Sequence, residues 1–150
     1  MKHLILFLLC LLSAGSAVAQ DSYLCIADHS TGFAFDKNSK QWSTSGFKSG
    51  NKYLISRSKQ PGYVWEVKNF GETDTLAACK GDFNDVGVIY CEGFETFRFS
   101  RRNLRFLSIY ALGYWNDSVN SSGDKKSDID RMFEEGKNTP GMSIGKCSPL

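Results

Sequence analysis

The sequence predicts an all-β fold: a small antiparallel barrel or sandwich with one short helix in the C-terminal region, stapled by disulfides. Three observations carry that expectation. Turn signals recur about every eight to twelve residues, the spacing of an antiparallel meander rather than of a parallel sheet. The segments between them are short and rich in aromatic and β-branched residues, and some alternate with period two. Four of the five cysteines lie beyond an apolar leader, an even number that suits bridges in an exported chain.

The chain has 150 residues, 18 basic and 16 acidic side chains and a hydrophobic content of 41%. That length fits one domain with a real core. The composition excludes global disorder and collagen-like or low-complexity chains. A formal charge of +2 gives no strong pull toward nucleic acid or acidic membranes, and no nucleic-acid partner is expected.

Residues 1–19 read as a signal peptide. Lys2 and His3 supply the positive start, LILFLLCLL the apolar run, and Ala17-Val18-Ala19 the cleavage pattern. The run is about half the length of a membrane span, so no stable membrane insertion is expected once it is cleaved. Lys2 is its only charged residue, which leaves residues 20–150 as a single β domain of net charge +1. The expected location is the periplasm or the extracellular space. There, Cys25 is expected to pair with Cys147 and Cys79 with Cys91. The first bridge joins the two ends that a closed sheet brings together, and the second closes a local hairpin loop. No C-x-x-C pair occurs and His29 is the only histidine beyond the leader, so neither a metal site nor a cofactor is expected.

The elements follow in order. Residues 23–27 form a strand, residues 28–32 (DHSTG) a turn with an exposed histidine, and Phe33-Ala34-Phe35 resumes the sheet. Residues 36–40 turn into a strand at 41–47 around Trp42. Ser49-Gly50-Asn51 turns again, and residues 52–57 place Tyr53 and Ile55 on one face. Lys59-Gln60-Pro61-Gly62 is a strong turn. Residues 63–67 put Tyr63, Trp65 and Val67 on one side. Residues 71–74 break the pattern, and strands at 75–79 and 86–91 flank the loop 80–85. Residues 94–99 follow, turned at 100–103. Residues 104–115, LRFLSIYALGYW, are apolar on both parities, which suits a long, doubly covered strand or a buried helix; Phe106, Ile109, Tyr110 and Tyr114 are poor helix formers and favour the strand. A polar loop at 116–126 leads to the helix at 127–136, capped by Ser127 and ended by Gly136. Asn138-Thr139-Pro140-Gly141 then turns into a last strand at 142–147.

Few residue types point to chemistry. Asp28-His29-Ser30 has the letters of a catalytic triad, but neighbours on a strand face opposite ways. No nucleophile elbow, zinc-protease motif or phosphate loop occurs. Glu92 and Glu95 are the one close carboxylate pair considered for acid–base work, against ordinary surface charge. Two oxygen-rich stretches around Asp82 and Asp117 lack the glutamate that a calcium loop needs, and read as turns. Arg98, Arg101, Arg102 and Arg105 interleave with Phe97, Phe99 and Phe106. A hairpin with rings inward and arginines outward accounts for that pattern, and it leaves four guanidinium groups available to an anion or an acidic partner. Trp42, Trp65 and Trp115 either line a ligand site or fill the core.

The segments TGFAFD, KYLISR, WEVKNFG, YCEGFETFRFSRRNLRF, GYW and PGMSIGKCSPL resemble an uncharacterised family of small exported proteobacterial proteins. A looser resemblance is to lipocalin-like and lysozyme-inhibitor-like small β-barrels. The chain departs from both, with no G-x-W opening and no S-G-x-R-Y segment, so no binding residue carries over. The resemblance implies an exported, disulfide-bonded β protein. The expected role is a non-enzymatic binding or inhibitory module for a protein, an envelope component or a small apolar ligand. The alternative is an envelope hydrolase or lyase using carboxylates and arginine.

Overall fold

The structure is a computed structural model and describes residues 22–111, 114 and 139–150. Nine strands run in order: β1 (Ser22–Asp36), β2 (Gln41–Phe47), β3 (Lys52–Arg57), β4 (Trp65–Asn69), β5 (Thr75–Cys79), β6 (Val88–Gly93), β7 (Thr96–Ser100), β8 (Arg105–Tyr110) and β9 (Gly141–Pro149). From β3 to β9 the chain meanders between antiparallel neighbours. β1 pairs with β3 on one edge and β9 on the other, so eight strands close a barrel. β2 is the extra strand, paired with the distal half of β1 from Ser30 to Asp36. Full closure leaves the ring without an open edge.

The length of β1 corrects one expectation. Residues 28–32 are not a turn but part of one 15-residue strand, with the register shifting between Ala27 and His29. Asp28 is the extra residue of that bulge. β9 pairs opposite His29, Ser30, Thr31 and Gly32, which holds this polar stretch in the ladder. Gly32 makes the packing possible, because a Cβ there would strike the Pro140 carbonyl oxygen and Phe47. β4, β6 and β7 each begin two residues later than the pattern predicts. The backbone ahead of them serves the loops: Val64 N–H donates to the Cys79 carbonyl, Gly87 sits at φ +78°, and Phe94 lies in the β6–β7 turn. Residues 105–110 of the doubly apolar segment form β8, with Phe106 and Ser108 facing in and Leu107 and Ile109 facing out, half-buried. The helix expected at 127–136, the leader and Trp115 lie outside the described residues.

Period-two alternation fills the interior with rings. Tyr53, Phe97 and Phe106 form one layer, with Phe97 and Phe106 stacked at 5.0 Å and Tyr53 5.4 Å from each. Tyr23, Trp65 and Phe99 form the next, with Tyr23 4.7 Å from Phe99. Phe83, from the β5–β6 loop, covers the second layer edge-on and plugs that end of the barrel. An eight-stranded barrel can hold one small ligand; here aromatic rings occupy the space between the Tyr53 layer and the plug.

Both disulfides cross neighbouring strands. Cys25 bonds to Cys147 between β1 and β9, where the barrel closes, and the two are register partners. Cys79 bonds to Cys91 between β5 and β6, a seam joined by two register pairs, Ala77↔Gly93 and Ala78↔Glu92. The sulfur bridges thus tie the closing seam and the seam with the shortest ladder. Such bridges are compatible with an oxidising, exported location.

Candidate functional site

Among the described residues three regions of the surface carry chemistry: the plugged end, the open mouth and the outer wall of β6–β9 and β1, which reaches Lys52 at the start of β3.

At the plugged end the charges serve the fold. Trp65 Nε1 donates to Asp82 Oδ1 at 2.8 Å, and the Phe83 N–H donates to the same oxygen at 2.8 Å. The hydrogen bond from Trp65, with those from Phe83 and Arg57, holds the Asp82 carboxyl below the usual carboxylate range against its partial desolvation. The Arg57 guanidinium lies 4.2 Å from the Trp65 ring centroid and 3.3 Å from Asp82 Oδ2. The Arg101 guanidinium covers the Phe83 ring at 4.7 Å, and Arg102 Nη2 donates to the Asp85 carbonyl at 2.7 Å. Two of the four expected binding arginines therefore clamp the β5–β6 loop. Trp65 is 1% exposed and belongs to the core.

The opposite end is open and polar. A cavity of about 190 Å³ is lined by Ser30, Tyr53, Glu95, Ser108, Tyr110 and Ser143, with Lys48 and Asn51 among its other walls. Glu95 reaches it from the β6–β7 turn, and its own N–H bonds the Leu76 carbonyl at 3.4 Å. Gly93 allows that close turn, since a Cβ would strike the Leu76 carbonyl oxygen and Ala77. Ser108 Oγ donates to Glu95 Oε2, and Ser30 Oγ and Ser143 Oγ share a 2.9 Å hydrogen bond. Burial, reinforced by the negative charge of Glu95, raises the Tyr53 and Tyr110 phenols above their ordinary range. Glu92 is exposed on the outer side of β6, beside Gln60 and Tyr63, while Glu95 faces the interior. The two do not form an acid–base pair.

The outer wall gathers what the sequence separates. Its register sets Tyr90, Arg98, Leu107, Ile144 and His29 in one outward row. The adjacent row holds Ser100, Arg105, Lys146, Ile26 and Lys52. Arg98 lies 5.3 Å over the Tyr90 ring. Arg105 and Lys146 are direct cross-strand partners of like charge. Neither they nor Arg98 and Lys52 have a carboxylate partner among the described residues. Ile144 is 48% exposed, Met142 47% and Ile26 41%. The band continues into a groove of about 580 Å³ under the β1–β2 hairpin, lined by Phe33, Trp42, Ile109, Tyr114 and Met142. Trp42 is half-buried there, 5.2 Å from Phe35 and 5.7 Å from Tyr114.

Of the expected residues, Arg98 and Arg105 share this wall and Trp42 stands at its end, whereas Arg101, Arg102 and Trp65 do not reach it. Sequence reading missed Lys146, Lys52, Leu107 and Ile144, and the mouth residues Tyr53, Ser108, Tyr110 and Ser143. The outward parity of β3, β4 and β7 was legible, but the register that sets β8 against β9 was not. Comparison with known proteins finds no matching family model, no similar curated protein and no similar solved structure.

Proposed function

We propose that this chain is an exported, non-enzymatic binding module that docks a protein partner on the outer wall of β6–β9 and β1. The single observation that carries the reading is the exposed apolar band of Ile26, Met142 and Ile144, set among four cations that have no acidic partner among the described residues. A contiguous exposed apolar strip marks an interaction surface. The facing Arg105–Lys146 pair is unfavourable by itself and improves when an anion settles beside it. The partner surface therefore presents apolar side chains ringed by Asp or Glu. The signal-like leader and the two sulfur bridges support delivery to the periplasm or the cell exterior.

The ring-filled interior argues against a small apolar ligand inside the barrel, and the opposed Glu92 and Glu95 argue against the carboxylate hydrolase. The test places a photo-crosslinking residue at Leu107 on the wall or at Ala78 on β5, in cells that express the chain. One defined product is expected from position 107, absent from 78, lost in Ile144→Asp and weakened by salt. Equal products from both positions, or none from either, would refute the docking surface.

A further inference from the structure

We propose that the open mouth of the barrel is a second binding site, one that takes the ammonium group of a small primary amine. It does not depend on the docking wall. Glu95 is half-buried, and among the described residues no cation pairs with it, although Lys48 stands on the same rim. One of its oxygens already accepts from Ser108 Oγ, and no side chain among the described residues donates to the other. That asymmetry favours a point donor over the two-pronged fork of a guanidinium, which needs both oxygens. An ammonium carries three N–H donors and no acceptor. The Glu95 carboxylate and the hydroxyl oxygens of Ser30, Ser143 and Tyr53 line one cavity and supply acceptors only a small group can reach together. Its volume of about 190 Å³ suits a short alkylamine or the tip of a lysine side chain, below the size of a drug-like pocket. Tyr53, one of the lining residues, is packed on Phe97 and Phe106, which fixes its position beside the cavity.

The cavity walls also explain the selectivity. With both phenols held protonated, Glu95 is the one formal negative charge among the lining residues. An anionic guest is repelled by that carboxylate, with Lys48 on the rim as the one cation among the lining residues, and a neutral alcohol gains no charge-assisted bond.

The test is a two-dimensional amide NMR titration of the whole chain with n-butylammonium chloride, 1-butanol and sodium butyrate. The ammonium is expected to shift the resonances of Ser30, Glu95, Ser108 and Ser143 saturably, while the alcohol and the carboxylate do not. Glu95→Gln is expected to weaken the ammonium binding by about tenfold or more. The proposal is overturned if 1-butanol moves the same resonances with equal affinity, if the ammonium moves none, or if Glu95→Gln binds as tightly. The three-ligand comparison on the unaltered chain decides the matter even if that variant does not fold. None of these outcomes bears on crosslinking at position 107, so the two sites stand or fall separately.

Discussion

Replacing Cys25 and Cys147 together by alanine is expected to cost more stability than replacing Cys79 and Cys91. The bridges span 122 and 12 residues of chain. If a bridge acts by restricting the unfolded chain, the loss of loop-closure entropy is worth about 5 kcal/mol for the long loop and about 3 kcal/mol for the short one. All four sulfurs are buried, so the packing lost with each pair is similar and largely cancels in the comparison. The remaining difference is about 2 kcal/mol in favour of the bridge between the ends. Equilibrium urea denaturation of the two double variants measures it, with the slope checked for a changed denatured state. The competing expectation comes from the folded barrel. β1 and β9 are held by eight register pairs besides the bridged one, β5 and β6 by two. If the bridges act chiefly by keeping seams shut, losing Cys79–Cys91 is the greater injury. Equal costs, or a larger cost for the short loop, would refute the entropic argument.

Gly145→Ala is expected to destabilise by about 1–3 kcal/mol by overpacking, read as a lower thermal midpoint; the new Cβ meets the Ile26 carbonyl oxygen and lies 2.8 Å from the Phe106 ring. Asp82 has a depressed pKa in the folded chain, so its stabilising contribution is complete at neutral pH and is lost as the pH falls below the usual carboxylate range. Asp82→Asn should therefore flatten the thermal midpoint against pH on the acid side, and Trp65 fluorescence should report the loosened plug. Arg105→Glu turns a like-charge pair with Lys146 into an opposite-charge pair and should stabilise the fold by a few tenths to about 1 kcal/mol. The same variant should weaken crosslinking from position 107. A stability gain with undiminished crosslinking would remove Arg105 from the docking surface.

Much of the fold was legible from local signals. Pro61-Gly62 and Gly71 mark real turns, and the alternation around Tyr53, Ile55, Phe97 and Phe99 separates inside from outside, because side chains on a strand alternate strictly. The cysteine pairing was legible as well, since ends that close a ring must meet. The stretch from Asp28 to Gly32 was misread because turn-forming residues also serve a bulge, and only the flanking β9 decides between them. The four arginines looked like one group in sequence. Two lie on the turn after β7 and reach the β5–β6 loop, while Arg98 and Arg105 lie on strands and face outward.

The amino-acid sequence by itself determined strand character over most of the described chain, the inward and outward faces of β3, β4 and β7, and which sulfurs bond. Those properties depend on residues near one another in the chain, or on the single closure that joins its ends. Tertiary structure alone decided that the interior is filled with rings, that Glu95 enters the mouth with no cation paired to it among the described residues, and that Lys146 lies beside Arg105. These depend on register between strands about 40 residues apart. A shift of one residue in that register would send every side chain of β9 to the opposite face and leave each local signal unchanged.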